Sequence, residues 1–322
     1  MDDVLYPPRV RARFPATNVL LFVATLASTA WAGFLFTPAA ARAVSFAELL
    51  RLIAATPDLL LAGLPFALSL VGILFTHEMG HYVLARAWRV DTTLPYFIPV
   101  PFGVGTLGAV IRMRSALPSR RATLDIGAAG PLAGFAIAVP LLLWGLAHSP
   151  IVEVPAAQSA TSPFEALRFW LAGRPVFGPD TGVFHLGHSL LTWAAQTLVH
   201  GRLPPGTDVE MHPVGVAATI GLLITALNLV PAGQLDGGHV TYALLGGRGH
   251  RAVSRAVSAI LLVAGLFVSW SWLVWWALVR FAIGHRHPPP LEQEPLGPGR
   301  RAIAILSLVI LVLTFVPVPV SL

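Results

Sequence analysis

His77, Glu78 and His81 stand at the spacing H-E-x-x-H within Phe75-Thr76-His77-Glu78-Met79-Gly80-His81-Tyr82, inside an apolar run. On a helix, positions i and i+4 share a face, so both imidazoles can point at one metal ion. Glu78 then lies near enough to act on a water at that metal without being a ligand, the arrangement of zinc peptidases with glutamate as general base. The competing reading is a chance spacing in an ordinary helix. The apolar setting weighs against it, because polar groups there are costly unless paired or metal-bound.

Catalytic zinc takes three protein ligands and keeps a position open for water. The chain has no cysteine, so the third ligand must be His, Asp or Glu. Asp125, Asp236, His239 and the loop histidines His185, His188, His200 and His212 compete for that place. Asp125 reads as a cap at the start of a helix, and the loop histidines read as solvated side chains. Asp236 sits in the turn Gly233-Gln234-Leu235-Asp236-Gly237-Gly238, where backbone can pack closely. A plain Asp-Gly turn is the equal alternative for it.

The elements that must position these groups are membrane spans. The 322 residues are 55% hydrophobic and 11% charged, with mean hydropathy +0.73. Soluble domains carry about 25% charged residues, so this composition excludes an ordinary soluble fold. The net charge is +6 and all 21 basic residues are arginine. They are spread over loops beside apolar runs, which reports membrane orientation rather than nucleic-acid binding. The N-terminus shows no cleavable signal pattern, and its first apolar run reads as a retained helix.

Spans are expected at 17–37, 59–88, 124–147, 213–230, 253–283 and 302–316. The run 253–283 is over-long and holds Trp270, Trp272, Trp275 and Trp276, so it is either tilted or broken near Ser269 to Ser271. Between the second and third spans, residues 92–121 are rich in Pro, Gly and β-branched types, which favours a short β-hairpin or re-entrant element. Residues 149–210 form a mixed connector with one amphipathic piece near 184–200. The expected fold is thus an all-α polytopic membrane protein of about six transmembrane helices, with a small β-hairpin or re-entrant element after the second. It forms a single integral membrane domain over 1–322, with a core at about 60–245, a linker at 284–301 and the last helix at 302–316. Arginine placement favours an N-terminus inside. The second and fourth spans then run in one direction, bringing His77, His81 and Asp236 to the same, inner, depth.

Two motifs now carry a resemblance. His77-Glu78-Met79-Gly80-His81 and Asn228-Leu229-Val230-Pro231, followed by Leu235-Asp236-Gly237-Gly238, fit H-E-x-G-H and N-x-x-P-x-x-x-x-D-G in order on separate spans. The chain resembles the site-2 protease family of intramembrane zinc metalloproteases over roughly residues 60 to 245. Pro101 to Ala109 and Asp125 to Phe135 are similar to the branch that includes plant chloroplast and related prokaryotic members. The resemblance implies one catalytic Zn2+ held by His77, His81 and Asp236, with Glu78 as catalytic base and Asn228 near the substrate carbonyl. It also implies that the region 100–114 binds the substrate as an added strand, which makes Gly103, Gly105 and Thr106 substrate or oxyanion candidates. The implied partners are a transmembrane-protein substrate and the lipid bilayer, in a prokaryotic plasma membrane with the site towards the cytoplasm. No PDZ or CBS segment is expected. A metal transporter or an inactive pseudo-protease are rival classes. The first expects ionisable groups on several spans, and the second expects loss of Glu78 or a ligand.

Overall fold

The computed structural model describes residues 15–41, 43, 45–153, 161–173 and 185–321. Arg9, Arg11, Arg13, Arg42 and Arg174, part of the orientation pattern, lie outside the described residues. The chain enters through α1 (Ala16–Leu35), then the short α2 (Pro38–Ala41) and α3 (Phe46–Ala55). Ser45 caps α3 by accepting from the Glu48 amide. A 3-10 stretch (Pro57–Gly63) runs straight into α4 (Leu64–Ala87), which carries the H-E-x-x-H motif. Strands β1 (Tyr96–Pro99) and β2 (Thr106–Val110) follow as an antiparallel hairpin with Tyr96 opposite Val110 and Phe97 opposite Ala109. Its turn holds Gly103 and Gly105 at φ of 61° and 84°, a backbone region that penalises any Cβ.

Helix α5 (Arg120–Ala147) starts four residues earlier than hydropathy suggests, because polar residues lead it. Its cap is Ser119, which accepts from the Ala122 amide, and not Asp125. Asp125 instead accepts from Arg300 and from the Trp88 indole. The connector contains β3 (Ile151–Glu153), α6 (Pro163–Leu171), β4 (His185–Leu186), α7 (Leu190–His200) and β5 (Thr207–Val209). After it come α8 (Pro213–Asn228), α9 (Asp236–Phe267), α10 (Trp270–Ala277), a π-helical turn (Leu278–Ile283), α11 (Pro298–Thr314) and β6 (Val320–Ser321). β3 pairs with β5, and β4 with β6.

The expected span 253–283 is corrected at its start, and of its two expected forms the structure has the one broken near Ser269. The helix begins at Asp236, inside what reads as a turn, and is kinked at Gly246 (φ 69°). It ends at Phe267, and Ser269 caps a separate α10. Hydropathy missed the early start because Gly246-Gly247-Arg248-Gly249-His250 is polar and glycine-rich. Among the described residues, four helical stretches are long and apolar enough to cross a membrane: 16–35, 57–87, 120–147 and 236–267. α8 has 16 residues, about 24 Å of helix against a hydrocarbon layer of about 30 Å.

Packing explains which helices build the site. α4 lies on α5 and α8, and α5 also carries the start of α9. α4 and α8 run parallel: Phe66, Leu70 and Val71 share a core with Ala217 and Ile220, Ile73 seats against Gly221, and His77 ends beside Asn228. Leu229, Val230 and Ala232 are buried between α8 and α9, so this irregular backbone is enclosed by protein. α1 packs against β1 and joins the same core through Ala32.

Candidate metal centre

His77 and His81 lie one turn apart on α4, and α9 delivers Asp236 from its first residue. His77 Nε2 is 3.2 Å from Asp236 Oδ2 and 3.2 Å from His81 Nε2, and the third edge is 3.3 Å. A tetrahedral zinc ion with ligands at 2.0–2.1 Å requires edges of about 3.3 Å. The triangle therefore has the right size for that ion. Among the described residues it is the only group of three or more His, Cys, Asp or Glu gathered this closely.

The donor chemistry agrees. His81 Nδ1 lies 2.7 Å from the Ile126 carbonyl, which can only accept, so Nδ1 holds the proton and Nε2 keeps its lone pair. A ligating histidine normally has its other ring nitrogen tied down in this way. Two imidazoles and a carboxylate then converge with more lone pairs than protons. A cation in the triangle resolves that excess. His77 is 3% exposed and His81 is 7% exposed, so water cannot do so freely.

Local sequence explains the convergence. Gly130 on α5 faces the His81 ring and Gly134 faces His77, each where a side chain would crowd the imidazole. Gly80 meets the Ala129 carbonyl in the same seam. The stretch Gly127 to Gly134 thus lets α5 approach the two imidazoles directly. Gly237 and Gly238 sit against the carbonyls of Leu229 and Gly233, so the loop can fold back tightly enough to bring Asp236 to the histidines.

Glu78, next to His77 in sequence, is buried and lines the same cavity as Ile111. Asn228 Nδ2 is 3.3 Å from His77 Nε2, within reach of anything held there. These groups line a cavity of about 210 Å³ together with Ala109, Val110 and Ile111 at the end of β2 and with Gln234, Leu235 and His239 around the start of α9. Gly103, Gly105 and Thr106 are not in this wall. Gly105 accepts from Ser28 on α1, and Thr106 donates to the Ile98 carbonyl, so they shape the hairpin turn. The part of the hairpin that reaches the cavity is the end of β2.

The other contenders for the third ligand are elsewhere. Asp125 is paired with Arg300. His200 Nε2 is bonded to the Leu146 carbonyl, and His212 caps α8 by accepting from the Val214 amide. His148 and burial hold the His212 imidazole below its usual pKa, with burial the larger cause. The side chain of His185 lies outside the described residues. His239 lines the cavity but does not join the triangle. Sequence reasoning missed the Ile126 carbonyl, the Gly130 contact and His287, which bonds to His239 from a Pro-rich segment. No spacing rule connects those positions to the motif.

The model of peptidase family M50 matches residues 65–272. The probable zinc metalloprotease EGY2, chloroplastic, of Arabidopsis thaliana is 29% identical over 264 residues, covering 81% of this chain and 43% of the relative. The probable zinc metalloprotease EGY1, chloroplastic, of the same plant is 32% identical over 268 residues, covering 80% and 43%. The probable zinc metalloprotease EGY3, chloroplastic, of Oryza sativa subsp. indica is 27% identical over 261 residues, covering 79% and 42%. The chain spans less than half the length of these curated relatives.

Proposed function

The chain belongs to peptidase family M50, and from that premise we propose that it is an intramembrane zinc metalloprotease. It cleaves a peptide bond in or near a transmembrane segment of a membrane-protein substrate, as in regulated intramembrane proteolysis. The observation that carries this reading is the triangle of His77, His81 and Asp236 beside Glu78, in the lining of a cavity bordered by the end of β2. Its position on apolar helices directs the activity to membrane segments rather than to soluble peptides.

In this reading His77, His81 and Asp236 hold the zinc ion. When bound, zinc supplies Lewis acidity that polarises a carbonyl and acidifies a water. Glu78 accepts the proton of the attacking water and passes it to the leaving amine nitrogen as the C–N bond breaks. Asn228, with its amide nitrogen next to His77, donates to the substrate carbonyl oxygen. A helical substrate hides its carbonyls in backbone bonds and must unwind first. Among the described residues β2 pairs with no strand but β1, and its other edge would pair with the unwound segment.

The membrane arrangement is proposed with it. α8 with its buried loop and α11 complete a six-span bundle with the four long helices, over one domain of 1–322 with the core at about 60–245. The site faces the cytoplasmic side of a prokaryotic plasma membrane, which the arginine distribution supports. Metal analysis of purified protein together with cleavage of a model transmembrane substrate tests the reading. Wild type should contain one zinc per chain and cleave. Glu78→Gln should keep the zinc and lose cleavage, and Asp236→Ala should lose zinc. Full activity in Glu78→Gln, or unchanged zinc in Asp236→Ala, overturns the assigned roles.

A further inference from the structure

The segment from His285 to Gly297 runs back over the N-terminal ends of α5 and α9, and it is pinned there. Leu291 and Glu292 donate backbone bonds to Leu117 and Pro118 at 3.1 and 3.0 Å. Its His287 ring stacks on Tyr242 with centroids 4.4 Å apart, and Gln293 donates to the Tyr242 hydroxyl. This places His287 Nε2 2.6 Å from His239 Nδ1, on the wall of the catalytic cavity.

Hydrogen-bond bookkeeping assigns both tautomers. His287 Nδ1 is 2.7 Å from the Pro288 carbonyl, an acceptor only, so Nδ1 carries the proton. Burial pushes the His287 pKa down to about 4, so the ring is neutral near pH 7 and its Nε2 is a bare acceptor. His239 Nδ1 must then be the donor in the contact between them. A neutral His239 with a protonated Nδ1 has an unprotonated Nε2. That nitrogen has no hydrogen-bond partner among the described residues. Among the described residues the fully buried side-chain atoms without a partner are Thr25 Oγ1 and His250 Nε2, so His239 Nε2 is not sealed from the cavity that its residue lines. The Nε2 lone pair therefore serves the cavity. The wiring repeats that of His81, whose Nδ1 is tied to Ile126.

A strand added to β2 turns the N–H and C=O of every second residue away from β2, towards the opposite wall. Each such pair needs one donor and one acceptor across the cavity. Asn228 offers a donor, and the acidic groups are committed to metal and water. We propose that His239 is a substrate-positioning residue, locked by His287 into the tautomer whose Nε2 accepts a backbone N–H of the extended substrate. This rests on the protease reading of the same site.

Two measurements test it. In protein labelled with 15N-histidine, NMR should show His239 protonated at Nδ1 and bare at Nε2, and an Nε2–H tautomer overturns the proposal whether or not the protein is a protease. Binding of a leucine-rich transmembrane peptide with a central Asn-Pro pair is then measured on zinc-loaded Glu78→Gln protein, where no cleavage intervenes. Adding His239→Phe should weaken binding about fivefold to tenfold, the scale of one neutral hydrogen bond. Adding His239→Gln, whose Oε1 still accepts, should restore it. In the active background His239→Phe should raise KM by that factor with kcat within about twofold. Unchanged binding in His239→Phe, no rescue by Gln, or a loss confined to kcat overturns the proposal. Zinc content equal to the parent shows that each variant kept its site. A wild-type protein that cleaves nothing refutes the protease reading, while the tautomer result stands or falls separately.

Discussion

Gly130→Ala should empty the metal site by adding one methyl group. A Cβ at Gly130 lands inside contact distance of three atoms of the His81 ring, Nε2, Cδ2 and Cε1. Ordinary separation is about 3.5 Å, so ring or helix must move by more than an ångström. Metal–ligand distances tolerate only about 0.2 Å. The ring cannot rotate away cheaply either, because Nδ1 is tied to Ile126. Changes to outer-sphere partners alone cost about 10–100-fold in metal affinity, and displacing a ligand should cost at least about 100-fold. Gly134→Ala is the internal control. Its Cβ stands 3.2 Å from His77 Cβ and 3.3 Å from Nδ1, which a shift of a few tenths of an ångström relieves, so zinc affinity should fall less than about threefold. Both substitutions sit within α5, where alanine is favoured over glycine by about 1 kcal/mol, so helix propensity cannot explain a loss. Zinc affinity is read by competition with a chelating indicator, with helix content by circular dichroism as the check on folding. A Gly130→Ala protein with wild-type affinity, or a Gly134→Ala protein that is worse, refutes the packing reasoning.

Asp125→Asn should lower thermal stability in detergent by about 1–2 kcal/mol, since it weakens charge-assisted bonds from Arg300 at 2.7 and 2.9 Å. Arg300 is 35% exposed, so solvent screening favours the lower end, and an unchanged melting temperature contradicts the role. His287 predicts a pH effect with a definite sign. Its pKa falls from 6.5 to about 4 through burial, against the pull of the Pro288 carbonyl. Below pH 6.5 the unfolded chain takes a proton that the folded one refuses, so stability should fall between pH 6.5 and 4 and level off below. The ceiling is about 3 kcal/mol. Unfolding measured across that window should lose this slope in His287→Gln, and an identical slope excludes His287 as its source.

Much of the chemistry was legible without coordinates. H-E-x-x-H gives its own geometry, because a helix puts His77 and His81 on one face. The apolar runs showed that 17–37, 59–88 and 124–147 are helical, and they match α1, the stretch ending in α4, and α5. Proline and glycine between 92 and 121 signalled the hairpin. The start of α9 was hidden because Asp236-Gly237-Gly238 has the local chemistry of a turn, and only packing against Leu229 and Gly233 shows why those glycines are needed in a helix. Asp125 misled in the opposite direction: position suggested a cap, but its partner is Arg300 on α11.

The sequence by itself determined the reactive groups, their apolar setting and the periodicity that pairs two of them. The motif resemblance already pointed to Asp236; the tertiary structure brings it within 3.2 and 3.3 Å of the two histidines, leaves Asp125 and His239 out of that triangle, and puts the end of β2 rather than its turn at the cavity. It also placed the Ile126 carbonyl on His81 and His287 on His239. The physical reason is range. Side-chain chemistry and helical period are local, whereas a ligand distance and a histidine tautomer depend on partners brought together only when the helices pack.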